Sequence, residues 1–317
     1  NMMLIVCGSA ASWMLNNVVK EKGGLFDRLT DEMRISPFNL RETEEFLISN
    51  GVELNRYDIV QAYMAVGGIP YYLNFFRKGL SLAQNIDALF FDSKAKLKSE
   101  FSKLFISLFR YPDNYLRVIR FLFTKRCGYT REEIAKHLGI ESGGTFSSIL
   151  EALEESDFIR CYRPYDARPY EKLYRLIDPF CLMWLHWKEK EGVSDTKFWQ
   201  HNVNSSLLYQ WGGMAFAEAC FSHIEQIKQA LGISAVQSES SPFTLRGTED
   251  HDGLQCDMVI SRADRIVNLC EMKYTQQPYA LDKEEAEKIS RRMDSLRMLN
   301  RKQHNVQCIL VTKQEAR

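Results

Sequence analysis

The sequence predicts a multidomain α + α/β protein, and three observations carry that reading. Its 317 residues are about twice the roughly 150 of a typical domain. From Pro37 to about residue 157 apolar positions recur at helical spacing, with almost no strand signal. From about residue 191 onward helical and strand-like stretches alternate, the pattern of an α/β layer.

Lys plus Arg and Asp plus Glu each number 41, so the formal net charge is zero. That excludes a globally basic nucleic-acid coat and an acidic tail; a nucleic-acid surface would have to be a local patch. A hydrophobic fraction of 45% with 26% charged residues excludes wholesale disorder. No apolar run approaches the roughly 20 residues that cross a bilayer. Leu4-Ile5-Val6-Cys7 is too short for the core of a signal peptide. The expectation is a cytoplasmic protein with no membrane partner. The eight cysteines are scattered, without a Cys-x-x-Cys pair or clustered histidines, and read as thiols in a reducing compartment.

The first stretch reads as a buried strand over 3–7, a small-residue turn, Gly8-Ser9-Ala10-Ala11-Ser12, and a helix over 13–20. One strand is not a sheet, so the chain is expected to begin partway through a domain. No Gly-x-x-x-x-Gly-Lys-[Ser/Thr] loop occurs to cradle a phosphate. Asn39 opens a helix that Gly51 ends, and Asn55 or Asp58 starts another that closes at Gly67-Gly68. Short helices follow through Phe76 and over 81–89.

These residues resemble a known family. Leu4 to Trp13, then Arg28-Leu29-Thr30, Ser36-Pro37-Phe38 and Gly67-Gly68-Ile69-Pro70-Tyr71-Tyr72-Leu73, are similar to the second half of an archaeal-type P-loop ATPase of the AAA+/STAND group. The resemblance implies a helical lid, and a sensor residue near the nucleotide, here Ser9. It also implies ATP as the cofactor of a longer protein whose nucleotide-binding half precedes Asn1. Without that half this chain is not expected to bind ATP tightly.

Over 101–190 the pattern is a helix at 115–123, a second at 130–137 behind the capping box Thr130-Arg131-Glu132-Glu133, and a third at 145–155. Strands at 158–163 and 172–176 follow, so the unit reads as a winged helix-turn-helix. Thr145, Ser147 and Ser148 suit base edges, whereas Glu151, Glu154 and Glu155 repel phosphates. The wing is basic, with Arg160, Arg163, Arg168, Lys172 and Arg175. DNA or RNA binding and a protein–protein spacer both remain open. Asp178-Pro179-Phe180 starts an aromatic helix through Trp184 and Trp187, expected to pack between domains.

Over 191–317 a helix is expected at 207–231, a hairpin at 256–260 and 265–273, a charged helix at 282–299 and a strand at 306–312. Period two puts Glu271 and Lys273 on one strand face, interrupting an apolar run. Asp257 with Glu271 offers oxygen ligands for Mg²⁺, and Lys273 can position a water or stabilise negative charge. A turn centred on Asp264 sets Asp257 opposite Glu271, while a slip of one residue moves it to the other face.

The set resembles the PD-(D/E)XK nuclease superfamily, and Gly253 to Lys273 is similar to the nuclease-like C-terminal domain that accompanies those ATPases. The resemblance implies a glutamate after a phenylalanine on the preceding helix. Here Phe216 is followed by Ala217, and the acid is Glu218, about 100° further round the helix. An active site and a degenerate one, a salt bridge without turnover, both stay open. Arg291, Arg292, Arg297, Arg301 and Lys302 could grip a phosphate backbone or solvate a face. The expected organisation is 1–100 ATPase remnant and lid, 101–190 winged helix, and 191–317 nuclease-like domain.

Overall fold

A computed structural model of the chain describes residues 30–31, 33–168, 170–245, 254–299 and 304–314. The expected first strand and helix, Ser9, Arg28, Arg301 and Lys302 lie outside them.

Helix α1 (Leu40–Ser49) starts at Asn39, whose side chain accepts from the Glu42 amide while the Glu42 carboxylate accepts from the Asn39 amide. Helix α2 (Arg56–Val66) is capped by Asn55, which accepts from the Asp58 amide. The turn after α2 is crowded: Phe38 N–H donates to the Gly68 carbonyl at 2.8 Å. A Cβ on residue 68 would lie 1.8 Å from the Phe38 carbonyl oxygen, so the two segments meet only because residue 68 has no side chain.

Short helices α3 (Pro70–Leu73) and α4 (Leu82–Ile86) follow, α4 running on into a π-helical turn over Asp87–Phe91. Helix α5 (Glu100–Leu108), an element beyond those expected from the sequence, buries Phe101 and Phe105 at i, i+4 spacing.

The middle stretch places α6 (Pro112–Phe123), α7 (Arg131–Leu138) and α8 (Gly144–Glu155) before the strands β1 (Ile159–Tyr162) and β2 (Leu173–Leu176). The strands pair antiparallel from Ile159↔Leu176 to Tyr162↔Leu173, and Tyr129 adds a single bridge to Tyr174. Helix α9 (Pro179–Trp184), capped by Asp178, passes into a π-helical turn over Leu185–Lys190. From that turn the fully buried Trp187 meets the rings of Phe198, Trp199 and Trp211, with centroids 4.9, 6.1 and 6.2 Å away.

After α10 (Phe198–Asn202), the long helix expected over 207–231 is two, α11 (Ser206–Ser222) and α12 (Ile224–Ala230). His223 makes the break. Its ring is pinned from both sides, Nδ1 by the Ala219 carbonyl at 2.7 Å and Nε2 by the Leu40 amide at 2.8 Å.

Strands β3 (Ser238–Leu245), β4 (Leu254–Arg262), β5 (Ile266–Lys273) and β6 (Asn305–Thr312) form one mixed sheet in that order. The first three are antiparallel, and β6 returns parallel to β5 after helix α13 (Lys283–Leu299). Met258, Ile260, Cys270 and Met272 face the main core, into which α11 also packs. Val259, Val267 and Leu269 face Leu296 of α13. That main core is continuous from Leu47 of α1 to Met272 of β5. No helix among the described residues is long and apolar enough to cross a membrane.

Candidate active site

The β4–β5 register is centred on Asp264, with Met258 paired to Cys270 and Ser261 to Val267. Continued by one residue it sets Asp257 against Glu271, but the ladder ends at Met258↔Cys270. There the Asp257 carboxylate takes over, Oδ2 accepting the Met272 amide at 2.9 Å. The cause lies on the other side of β4. Ser241 pairs with Val259 but Phe243 with Cys256, so Pro242 of β3 faces both Asp257 and Met258, a β-bulge. Proline has no N–H to give to a ladder, which suits it to this position. The bulge turns Asp257 to the end of the β4–β5 pair, where its charge reaches both Glu271 and the Cys220 thiol of α11.

Glu271 and Lys273 share a face and both meet α13. Glu271 is 2% exposed; Oε2 accepts from Arg292 Nη1 at 2.6 Å and lies 3.7 Å from Lys273 Nζ. Its other oxygen, Oε1, is buried without a hydrogen-bond partner. Burial pushes the Glu271 carboxyl up, with Asp257 adding to it, while Arg292 and Lys273 pull it down; the net direction is upward. Lys273 is hydrogen-bonded to Glu285. Burial works against its charge, but Glu285 and Glu271 outweigh burial and raise its pKa. Glu285 is lowered, first by the hydrogen bond from Lys273.

Glu285 and Arg292 are the two residues of this constellation whose roles the sequence did not assign. In the sequence Arg292 is one of several basic residues late in a charged helix. Their spacing of seven on α13 puts both on one helix face, a signal that becomes readable once that face is known to cover β5.

Glu218, the acid one place beyond Ala217, is not part of the site. It is 9% exposed and ion-paired with Arg175 of β2, whose guanidinium also lies over the Phe221 ring at 4.6 Å. The expectation of a basic wing therefore needs correcting at Arg175, which is 4% exposed. Arg163 is likewise engaged by Glu239 of β3 at 2.5 Å. On α8, Thr145, Ser148 and Glu151 are exposed, while Glu154 accepts the Cys161 amide at 2.9 Å and Glu155 faces Arg34 at 3.6 Å. Late in α13, Arg297 pairs with Asp294 at 2.7 Å.

Among the described residues no three His, Cys, Asp or Glu side chains are gathered to hold a metal. Two carboxylates remain, one with an unmatched buried oxygen, and this suits Mg²⁺, which keeps several waters and needs one or two protein carboxylates. The described cysteines are free thiols. Burial pushes the Cys256 thiol up to about 12.

No family model, curated protein or solved structure matches this chain. What the site does must be argued from its own residues.

Proposed function

We propose that this chain carries the lid, winged-helix and PD-(D/E)XK nuclease-like parts of an archaeal-type P-loop ATPase, and that its C-terminal site is a Mg²⁺-dependent phosphodiesterase acting on DNA or RNA. The observation that carries the reading is the buried, unmatched Oε1 of Glu271 at the end of the β4–β5 pair, with Asp257 beside that end and within electrostatic reach. Asp257 and Glu271 would hold the ion. Bound there, Mg²⁺ supplies positive charge that acidifies a water and offsets the charge of a phosphate.

The protein's own residues do the rest. Lys273, kept protonated by Glu285 and Glu271, acts as a fixed cation beside the scissile group rather than as a base. Arg292 holds the second Glu271 oxygen, fixes its rotamer and opposes the upward shift that burial gives this carboxyl. The ATPase and winged-helix assignments rest on the sequence resemblance and on the order of three helices before a two-stranded hairpin.

A second reading has its own support: a non-catalytic, ATP-regulated module that binds nucleic acid or protein through a degenerate nuclease fold. Position 217 is alanine, Glu218 is held by Arg175, and Arg292 already neutralises Glu271. One assay separates the two. Single- and double-stranded DNA and RNA are incubated with Mg²⁺ and wild type, Asp257→Ala or Lys273→Ala. Cleavage by wild type that both variants lose supports the enzyme. No cleavage of any substrate overturns it, and salt-dependent DNA binding indifferent to Asp257→Ala then supports the module. ATP turnover by these 317 residues alone would overturn the ATPase-part assignment.

A further inference from the structure

A cavity of about 660 Å³ opens between the end of α6, the Leu185–Lys190 turn and α11. Its size is that of a small-molecule site. Leu122, Leu182, Leu185, Trp211 and Met214 make its walls apolar. The two acids that border it each have a cation partner, though Glu218 Oε2 is buried without a hydrogen-bond partner. Glu189 takes a two-pronged contact from Arg120, at 2.8 Å on each oxygen, and Glu218 is paired with Arg175.

Arg126 is different. It borders the cavity and stays accessible, and its guanidinium meets only the Met214 carbonyl, at 3.3 Å. Among the described residues no carboxylate lies within ion-pair distance of it. Partial burial of the guanidinium depresses its pKa, with the charge of Asp257 opposing. A planar cation with unused N–H donors at the edge of an apolar hollow matches a carboxylate attached to an apolar body.

We propose that this cavity binds a small amphipathic carboxylate, its head on Arg126 and its body against Leu122, Leu185 and Trp211. The proposal stands apart from the phosphodiesterase reading and survives its failure.

Isothermal titration with octanoate and with octan-1-ol tests it, using wild type, Arg126→Met, Arg126→Lys and Ala215→Leu, each checked for native circular dichroism. Octanoate should bind wild type with a Kd below about 1 mM and more tightly than octan-1-ol. Arg126→Met should weaken octanoate roughly tenfold or more and leave octan-1-ol unchanged. Arg126→Lys should fall between, and Ala215→Leu, which narrows the hollow, should weaken both ligands. Absence of octanoate binding to wild type, equal binding of acid and alcohol, or an octanoate Kd indifferent to Arg126→Met would overturn it.

Discussion

The Arg175–Glu218 pair joins a strand of the hairpin to the long helix beneath the mixed sheet, and its removal should be costly. Arg175→Met keeps most of the side-chain stem but leaves the Glu218 carboxylate, 9% exposed, without its cation. Stranding one member of a buried pair costs about 3–5 kcal/mol. Loss of the stack on Phe221 adds about 0.5–2 kcal/mol. Glu218→Leu strands the guanidinium instead and should cost a similar amount. The double variant Arg175→Met/Glu218→Leu replaces the pair with apolar groups of similar size and should lie within about 1 kcal/mol of wild type, since such replacements are often neutral. The coupling between the sites would then be several kcal/mol and opposite in sign to the single losses. Urea unfolding at pH 7, followed by far-ultraviolet circular dichroism and tryptophan fluorescence, measures all four proteins. Single variants that each cost under about 1 kcal/mol, or losses that simply add in the double, would refute the view of this pair as a mutually dependent buried unit.

Other consequences are equally open to measurement. Gly68→Ala should cost upwards of about 3 kcal/mol, because its Cβ would collide with backbone. Gly213→Ala on the neighbouring helix meets nothing within 4 Å and should stabilise by about 0.5–1 kcal/mol in the same urea assay. Burial lowers the His223 pKa below its usual 6.5. Between 6.5 and the folded-state value the unfolded chain therefore binds a proton that the native ring refuses. The His223 contribution should be complete above pH 6.5 and decline as pH falls below it; the stability difference between wild type and His223→Gln, measured from pH 7.5 to 5, should shrink accordingly. Arg292→Met removes the closest cation from Glu271 but from a third-exposed position, so screening holds the loss to about 1–3 kcal/mol, read as a shift in urea midpoint.

The parts of the fold that were legible in the sequence are those set by near neighbours. Asn39 with Glu42 and Thr130 with Glu133 announce their helices because a cap is satisfied within four residues. The β4–β5 register follows from a short turn centred on Asp264 between two apolar runs. What the sequence hid depends on distant partners. Strand β3 reads Ser-Glu-Ser-Ser-Pro-Phe-Thr-Leu, with no alternation, and is held by its pairing to β4. The bulge beside Asp257 lies opposite Pro242 of that strand. Likewise Arg175 counted as a wing cation until α11 placed Glu218 beside it, and Arg292 as a surface charge until α13 lay over Glu271.

Pro242 has a consequence beyond the site. Among the described residues strand β3 is an edge of the sheet, and an unguarded edge is a template on which a second chain can add a strand. Here the edge is interrupted at Pro242, which offers no amide. It also carries the charge of Glu239 a few residues before. The irregularity that aims Asp257 thus also keeps this sheet from growing into its neighbours, and a sequence smoothed to restore a regular β3 would trade self-protection for aggregation.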